Sequence, residues 1–355
     1  MDPVSSWAFL TRVTANALAT KGRLATVVEQ VGSGRKAETF GGLGSAALAS
    51  IEGRAGLART EAFQRAVTVT EPRLEVMQTV YARLVEISKS VTERLIGQFG
   101  VFPPPLPVLN GEANALLDEV GTLLNTAVDG DFLFNGRDSG NPPVPQEITA
   151  SGMYAQIATA LNSLAPGNAA VVLATMNASA ASNAPGTTPF STYLSTVPGL
   201  TESRLSVRID VDLDVAWGVK ANANAVAASA PPTTGSAVRD LFLVLSAVAN
   251  LSEAQRSAAP NDFQEVLSSL RARVVSARDA FAQEAGALGV TQTLMTQVKQ
   301  RHEAAAIAFA RVTSGAEDAD LAELATKRAL LEAQLEANFR LVASLKELSL
   351  ANFLR

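Results

Sequence analysis

Residues 10–36 read LTRVTANALATKGRLATVVEQVGSGRK. Within them Leu10, Val13, Ala17, Thr20, Leu24, Val27 and Val31 alternate at spacings of three and four, the rhythm of an apolar seam along one helix face. Three successive heptads predict a long helix that pairs with another. The cluster Gly32-Ser33-Gly34, followed by Gly41-Gly42, predicts its end and a hinge to the next element.

The other end of the chain carries the same signal. Leu324, Leu331, Leu335, Val342 and Leu345 hold heptad register in a helix expected over 317–354, which would reach about 57 Å at about 1.5 Å per residue. Ser314 and Glu317 have the S-x-x-E spacing of a capping box, in which each side chain satisfies a free backbone N–H at a helix start. Glu317, Asp318 and Asp320 would then lie at the positive end of the helix dipole. Two long terminal helices with complementary seams are expected to bury them against each other and against neighbouring copies.

Between the ends, a helical pattern runs from near Leu43 to Leu95, interrupted by Pro72. An interior proline costs about 3 kcal/mol, which predicts a kink or restart there. The run FPPPLP at 102–107 predicts a stop, and Asn110 is placed to cap a shorter helix through Thr126. From Asp138 to about Leu200 the composition shifts to Ala, Ser, Thr, Pro, Gly and Asn, which predicts a surface region with little to bury. Leu205, Val207, Ile209, Val211, Leu213 and Val215 alternate with polar residues, the period-two signature of a half-buried strand. Helical rhythm returns at 237–252, 262–284 and 287–313.

The fold class expected is mainly α: an antiparallel coiled-coil rod formed by the N- and C-terminal helices, with a small β-containing domain inserted in the middle. Residues 1–42 with 314–355 form the terminal part, 43–139 with 237–313 a helical rod, and 140–236 the variable insert.

Composition narrows the function. The chain of 355 residues is 47% hydrophobic but only 5% aromatic, an apolar content made mostly of Ala, Leu and Val. Its 29 Lys plus Arg against 34 Asp plus Glu, with no long basic run, argue against nucleic acid. Without cysteine there is no disulfide and no thiolate nucleophile or ligand. No signal of the ordinary secretory type opens the chain, and no uncharged apolar run approaches the roughly 18 residues needed to cross a bilayer.

Candidate chemistry is thin. Asp210, Asp212 and Asp214 imitate the start of a calcium loop, but Val215 and Ala221 stand where that loop needs Gly and Glu, so the aspartates read as the wet face of a strand. His302 is the only histidine, which rules out a two-histidine metal site, and it reads as a solvated helix residue. The glycines at 32–44 lack both a G-x-x-x-x-G-K-[ST] pattern and a preceding strand. No catalytic residue, metal or cofactor is expected. The stretch GDFLFNGRDSGNPPV at 130–144 reads as a corner: Phe132 and Phe134 anchor the end of a helical segment, Asn135-Gly136 turns the chain, and Pro142 and Pro143 stiffen the exit.

Two stretches together resemble the bacterial flagellin family. GSGRK at 32–36 resembles the S-G-x-R/K turn that links two rod helices in that family, and residues 317–354 resemble its C-terminal segment. The opening S-x-x-E-D-A-D-x-A-E and the ending S-L-x-N-F-L are more similar to the hook–filament junction proteins of the family than to filament flagellins. So is the L-F-x-G turn at 133–136. The resemblance covers about residues 5–140 and 285–355. Where the family has Asp-Asp after the turn, this chain has Glu38-Thr39-Phe40-Gly41-Gly42.

The resemblance implies a structural subunit of the flagellum, exported through the flagellar type III apparatus and located outside the cell. Its implied partners are copies of itself, an adjacent hook-associated protein, flagellin and an export chaperone, with no nucleic acid and no membrane insertion. Leu10, Ala17, Leu24, Val31, Leu324, Leu331, Leu335, Val342 and Leu345 are the expected assembly interface. The alternatives are filament flagellin itself, a secreted coiled-coil adhesin or type III translocator, and a calcium-dependent hydrolase using the Asp210 cluster.

Overall fold

The computed structural model describes the backbone of residues 3–222 and 233–353, and the side chains of 8–222 and 233–344 apart from residue 10. The described chain is mainly helical, with two antiparallel two-stranded sheets. It divides into two compact units, residues 63–300 and the terminal segments 1–62 with 301–355.

In the terminal unit α1 (Pro3–Ser33) packs along α10 (Leu321–Phe353). Val13, Ala17, Thr20 and Val27 are the buried face of α1, the three-and-four spacing seen in the sequence. The hydroxyl of Thr20 donates to the Asn16 carbonyl at 2.8 Å, which lets a polar residue sit in an apolar seam. Exposed Glu–Lys and Glu–Arg pairs along α10, Glu323–Lys327, Arg328–Glu332 and Glu336–Arg340, each contribute a few tenths of a kcal/mol to a helix with little core of its own.

The 63–300 unit is organised around α7 (Ala237–Ala249), in which all thirteen residues are buried. Such a helix needs cover on every side. It packs on α3 (Leu106–Leu124), α4 (Gly152–Asn162) and α5 (Ala169–Ala181). The region expected to hold little to bury therefore supplies core: Met153, Ile157, Leu161, Val172 and Met176 are all nearly or fully inaccessible. Short alanine-rich helices bury through a few large residues at helical spacing, which average composition conceals.

The two charged side chains carried inward by α7 have partners, while Ser246 Oγ and Asp240 Oδ2 are buried with no hydrogen-bond partner. Arg273 and Asp240 form an ion pair of 2.9 Å with side chains 4% and 0% exposed. Thr234 donates to the same carboxylate oxygen from its backbone N–H and its hydroxyl. Arg239 donates to the carbonyls of Ala180 and Ser182 and to Asn183 Oδ1, and its guanidinium stacks on the Phe190 ring. With no carboxylate beside it, burial lowers its pKa to about 10.

Three expected boundaries move. Helix α2 (Ala47–Gly97) runs through Pro72 without a restart. Pro72 and Thr68 are on the exposed face, where water can satisfy the carbonyl that loses its N–H partner. Buried Val67, Leu74 and Met77 hold the helix on both sides. The segments 262–284 and 287–313 are one helix, α9 (Pro260–Glu317). Asn110 lies inside α3, whose start is set by Pro105 and Pro107, and its amide donates to the Leu251 carbonyl at 2.9 Å.

The alternating stretch at 205–215 is a hairpin and not one strand. β3 (Ser206–Asp210) and β4 (Leu213–Ala216) pair antiparallel, with Val207 opposite Val215 and Arg208 opposite Asp214. Alternation survives on both arms, so the pattern alone could not show the turn at Val211-Asp212. Asp214 accepts two 3.0 Å hydrogen bonds from Arg208, which hold its pKa below the usual carboxylate range, and Asp210 accepts from the Val211 N–H. A second hairpin, β1 (Ala127–Val128) with β2 (Asp131–Phe132), turns through Asp129 and Gly130, both at positive φ. The Asp-Gly pair was its sequence signal.

Candidate assembly surface

The turn after α1 frames the terminal unit. Gly34 sits at φ +69° and its N–H donates to the Gln30 carbonyl at 2.9 Å, which ends the helix in the left-handed cap that glycine favours. Arg35 pairs with Asp318 as an antiparallel bridge. The Lys36 N–H donates to the Glu317 carbonyl at 2.7 Å, and the Ala319 N–H to the Gly34 carbonyl at 2.9 Å. Lys36 Nζ donates to the Gly315 carbonyl at 2.6 Å, a cation at the negative end of α9.

The carboxylate of Glu317 faces into this join. It accepts from Arg54 Nε and Nη2, both at 2.5 Å, and from the Ser50 hydroxyl at 2.5 Å. The forked Arg54 pair, with Ser50 second, lowers the Glu317 pKa to about 2. Close packing of α2 on α9 is permitted by Gly53 and Gly56. A Cβ at Gly53 would lie 2.5 Å from Thr313 Oγ1, and one at Gly56 would lie 2.5 Å from the Phe309 ring.

The capping box expected of Ser314 and Glu317 is therefore corrected. Both residues lie in the last turn of α9, and α10 is capped by Asp320, whose Oδ1 accepts from the N–H groups of Ala322 and Glu323 at 2.9 and 3.1 Å. Glu317 is held by Arg54 and Ser50, partners more than 260 residues away in sequence that local spacing could not show. Ser314 hydrogen-bonds Asp318.

The expected interface residues fall into two groups. Ala17 and Leu324 are buried, and Leu24, Leu331, Leu335 and Val342 are half-buried on the same faces, so they belong to the seam between α1 and α10 of one chain. Val31 is exposed, and Leu10 and Leu345 lie outside the described side chains. The apolar groups left open are others. Leu18 on α1 is 70% exposed, and Leu330, Phe339 and Leu341 on α10 are all exposed, as are Leu48 and Ile51 at the start of α2 and Ile307 and Val312 on α9. Leu330 and Leu341 are eleven residues apart, three turns, and so share a face beside the seam.

The corner at 130–144 lies wholly in the other unit. Phe134 is fully buried, edge-on to Tyr81 at 6.0 Å between ring centroids, while Phe132 is half-buried and Leu133 is buried beside it. Asn135, also fully buried, donates to the carbonyls of Asp138 and Asn141 and accepts from the Ser191 hydroxyl. Gly136 has φ +62°, and a Cβ there would fall 2.0 Å from the Glu202 carboxylate. Asp131 is fixed by Ser139 and Arg73, which lower its pKa.

His302 is buried and not solvated. Among the described residues no group of three or more His, Asp or Glu side chains is placed to hold a metal ion, and no helix is long and apolar enough to cross a membrane. The arrangement at Glu317 fixes chain segments together. Compared with known proteins, the chain matches no family model and no curated relative.

Proposed function

We propose that this chain is a structural subunit of the bacterial flagellum that joins hook to filament by helical self-assembly. The observation that carries the reading is the terminal unit: two long paired helices that bury one seam and leave Leu18, Leu330, Phe339 and Leu341 uncovered. At about 25 cal/mol per Å² of apolar area, covering several such side chains per copy supplies association energy that an isolated helix pair lacks. The resemblance of 32–36 and 317–354 to flagellin-family termini supplies the biological context.

In this reading α1 and α10 form an antiparallel coiled-coil rod in the inner tube of the assembly, through 1–42 and 314–355. Residues 43–139 and 237–313 form the next shell, and 140–236 faces outward. The protein works by assembly and not by turnover, binds no cofactor, and reaches the cell exterior through the flagellar type III apparatus with a chaperone. It contacts copies of itself, an adjacent hook-associated protein and flagellin.

Deleting the gene in its own cell tests the reading. Bare hooks with flagellin shed into the medium are the expected result. Loss of all flagellin would assign the chain to the filament itself, and unchanged flagella would overturn the flagellar reading. A charged replacement of exposed Leu330 or Leu341 is expected to block incorporation while leaving expression intact.

A further inference from the structure

From Ile148 to Thr201 the chain contains no Asp, Glu, Lys, Arg or His. Helix α5 lies inside this uncharged stretch, and Asn168 at its start makes no side-chain cap. Its fastenings come from α7 and α9. At the N-terminal end, Oδ1 of Asp262 on α9 accepts from the N–H groups of Gly167 and Ala169, both at 3.0 Å. At the C-terminal end, Arg239 on α7 donates to the Ala180 and Ser182 carbonyls at 2.8 and 3.0 Å. An anion at the start and a cation at the end both match the helix dipole. Midway along, Asn177 Oδ1 accepts from Arg273 on α9 at 2.8 Å.

Apolar packing holds the helix less firmly. α5 meets α4 and α7 through Ala169, Val172, Met176 and Ala180, of which only two are large. Its side toward α9 is not filled: Leu173, Ala174, Glu265 and Ser269 are among the walls of an open cleft of about 420 Å³. Arg239 is 5% exposed and its pKa is lowered by burial, a desolvation cost that is relieved when its cover lifts. Both flanks of the helix are anchored. Leu164 is buried before it, and after it the Gly186 and Thr187 carbonyls accept from the N–H groups of Gly152 and Met153 at 3.0 and 2.8 Å. Gly167 and Gly186 turn the chain at positive φ on either side.

We propose that α5 is a strap: residues 165–185 lift and reseat as one unit while α7 and α9 stay folded, and the fastenings from Asp262, Arg239 and Arg273 set how often they do so. This proposal does not depend on the flagellar reading.

Hydrogen exchange of the full chain, followed by mass spectrometry at neutral pH in sub-denaturing urea, tests it. In the parent chain, overlapping peptides from both halves of 169–181 are expected to share one opening free energy with a weak urea dependence, because lifting the strap exposes little surface. Peptides from 241–249 should show the steep dependence of global unfolding. Asp262→Ala and Asn177→Ala should each speed exchange in 169–181 about fivefold or more, the size of a lost cap or charge-assisted hydrogen bond, and keep the weak urea dependence. Either variant suffices should the other fail to fold. One urea dependence shared by 169–181 and 241–249 in the parent would overturn the proposal, since α5 would then open only with the whole unit. So would a gradient of protection along α5, which is fraying from one end, or unchanged exchange in the folded variants.

Discussion

The two units are built from the same kind of helix, yet among the described residues the contiguous core lies in only one. The contiguous cluster of buried apolar residues runs from Val67 to Val298 and lies wholly within the 63–300 unit. The terminal unit buries Val13, Ala17, Val27, Ala316 and Leu324 and exposes Phe9, Leu18, Val28, Leu330, Phe339 and Leu341, among others. A scattered exposed leucine is ordinary, but among its described side chains the terminal unit exposes more large apolar groups than it buries. One unit is finished by folding. The other is held by polar fixings around Glu317 and leaves large apolar side chains open.

The contrast breaks most visibly inside the finished unit. Leu245→Ala, at a fully buried site on α7, is expected to cost about 2–5 kcal/mol in chemical denaturation because the packed helix cannot collapse onto the cavity. Arg273→Ala should cost about 3–5 kcal/mol by leaving the Asp240 carboxylate buried and uncompensated. In the terminal unit Gly53→Val is expected to cost about 1–3 kcal/mol by wedging α2 away from α9, seen as earlier loss of α1 and α10 protection in hydrogen exchange.

Acid sharpens the comparison. Glu317 has a folded pKa lowered to about 2 from a usual 4.5, so its contribution is fully present above the unfolded value and is lost as pH falls from about 4.5 towards 2. Hydrogen exchange of the terminal unit should therefore accelerate across that window. Glu317→Gln should remove that contribution to its pH dependence.

The sequence shows the paired ends best, because the heptad rhythm is a local consequence of burying one helix face. It also shows Gly34, where only a left-handed residue can end α1 and turn toward Arg35. What it hides is set by distant partners. The join of Arg54 and Ser50 to Glu317 connects segments more than 260 residues apart, and it displaces the cap onto Asp320. Pro72 looks like a break because propensity is local, whereas Val67, Leu74 and Met77 hold the helix through packing. The helical rhythm at 237–252 locates α7 but not its burial on every face, because its cover comes from segments whose Ala- and Ser-rich composition looks like surface.

The smallest effect on stability carries the largest consequence for function. Leu330→Glu with Leu341→Glu changes exposed positions, so each should shift the denaturation midpoint by no more than about 0.5 kcal/mol. Both charges fall on the uncovered face beside the seam. The decisive measurement is incorporation of this double variant, expressed in the deletion strain, into flagella seen by immuno-electron microscopy. A folded, exported variant absent from the junction, with bare hooks in its place, is the expected result. Normal filaments carrying the variant at their base would contradict the claim that the open faces of the terminal helices drive assembly.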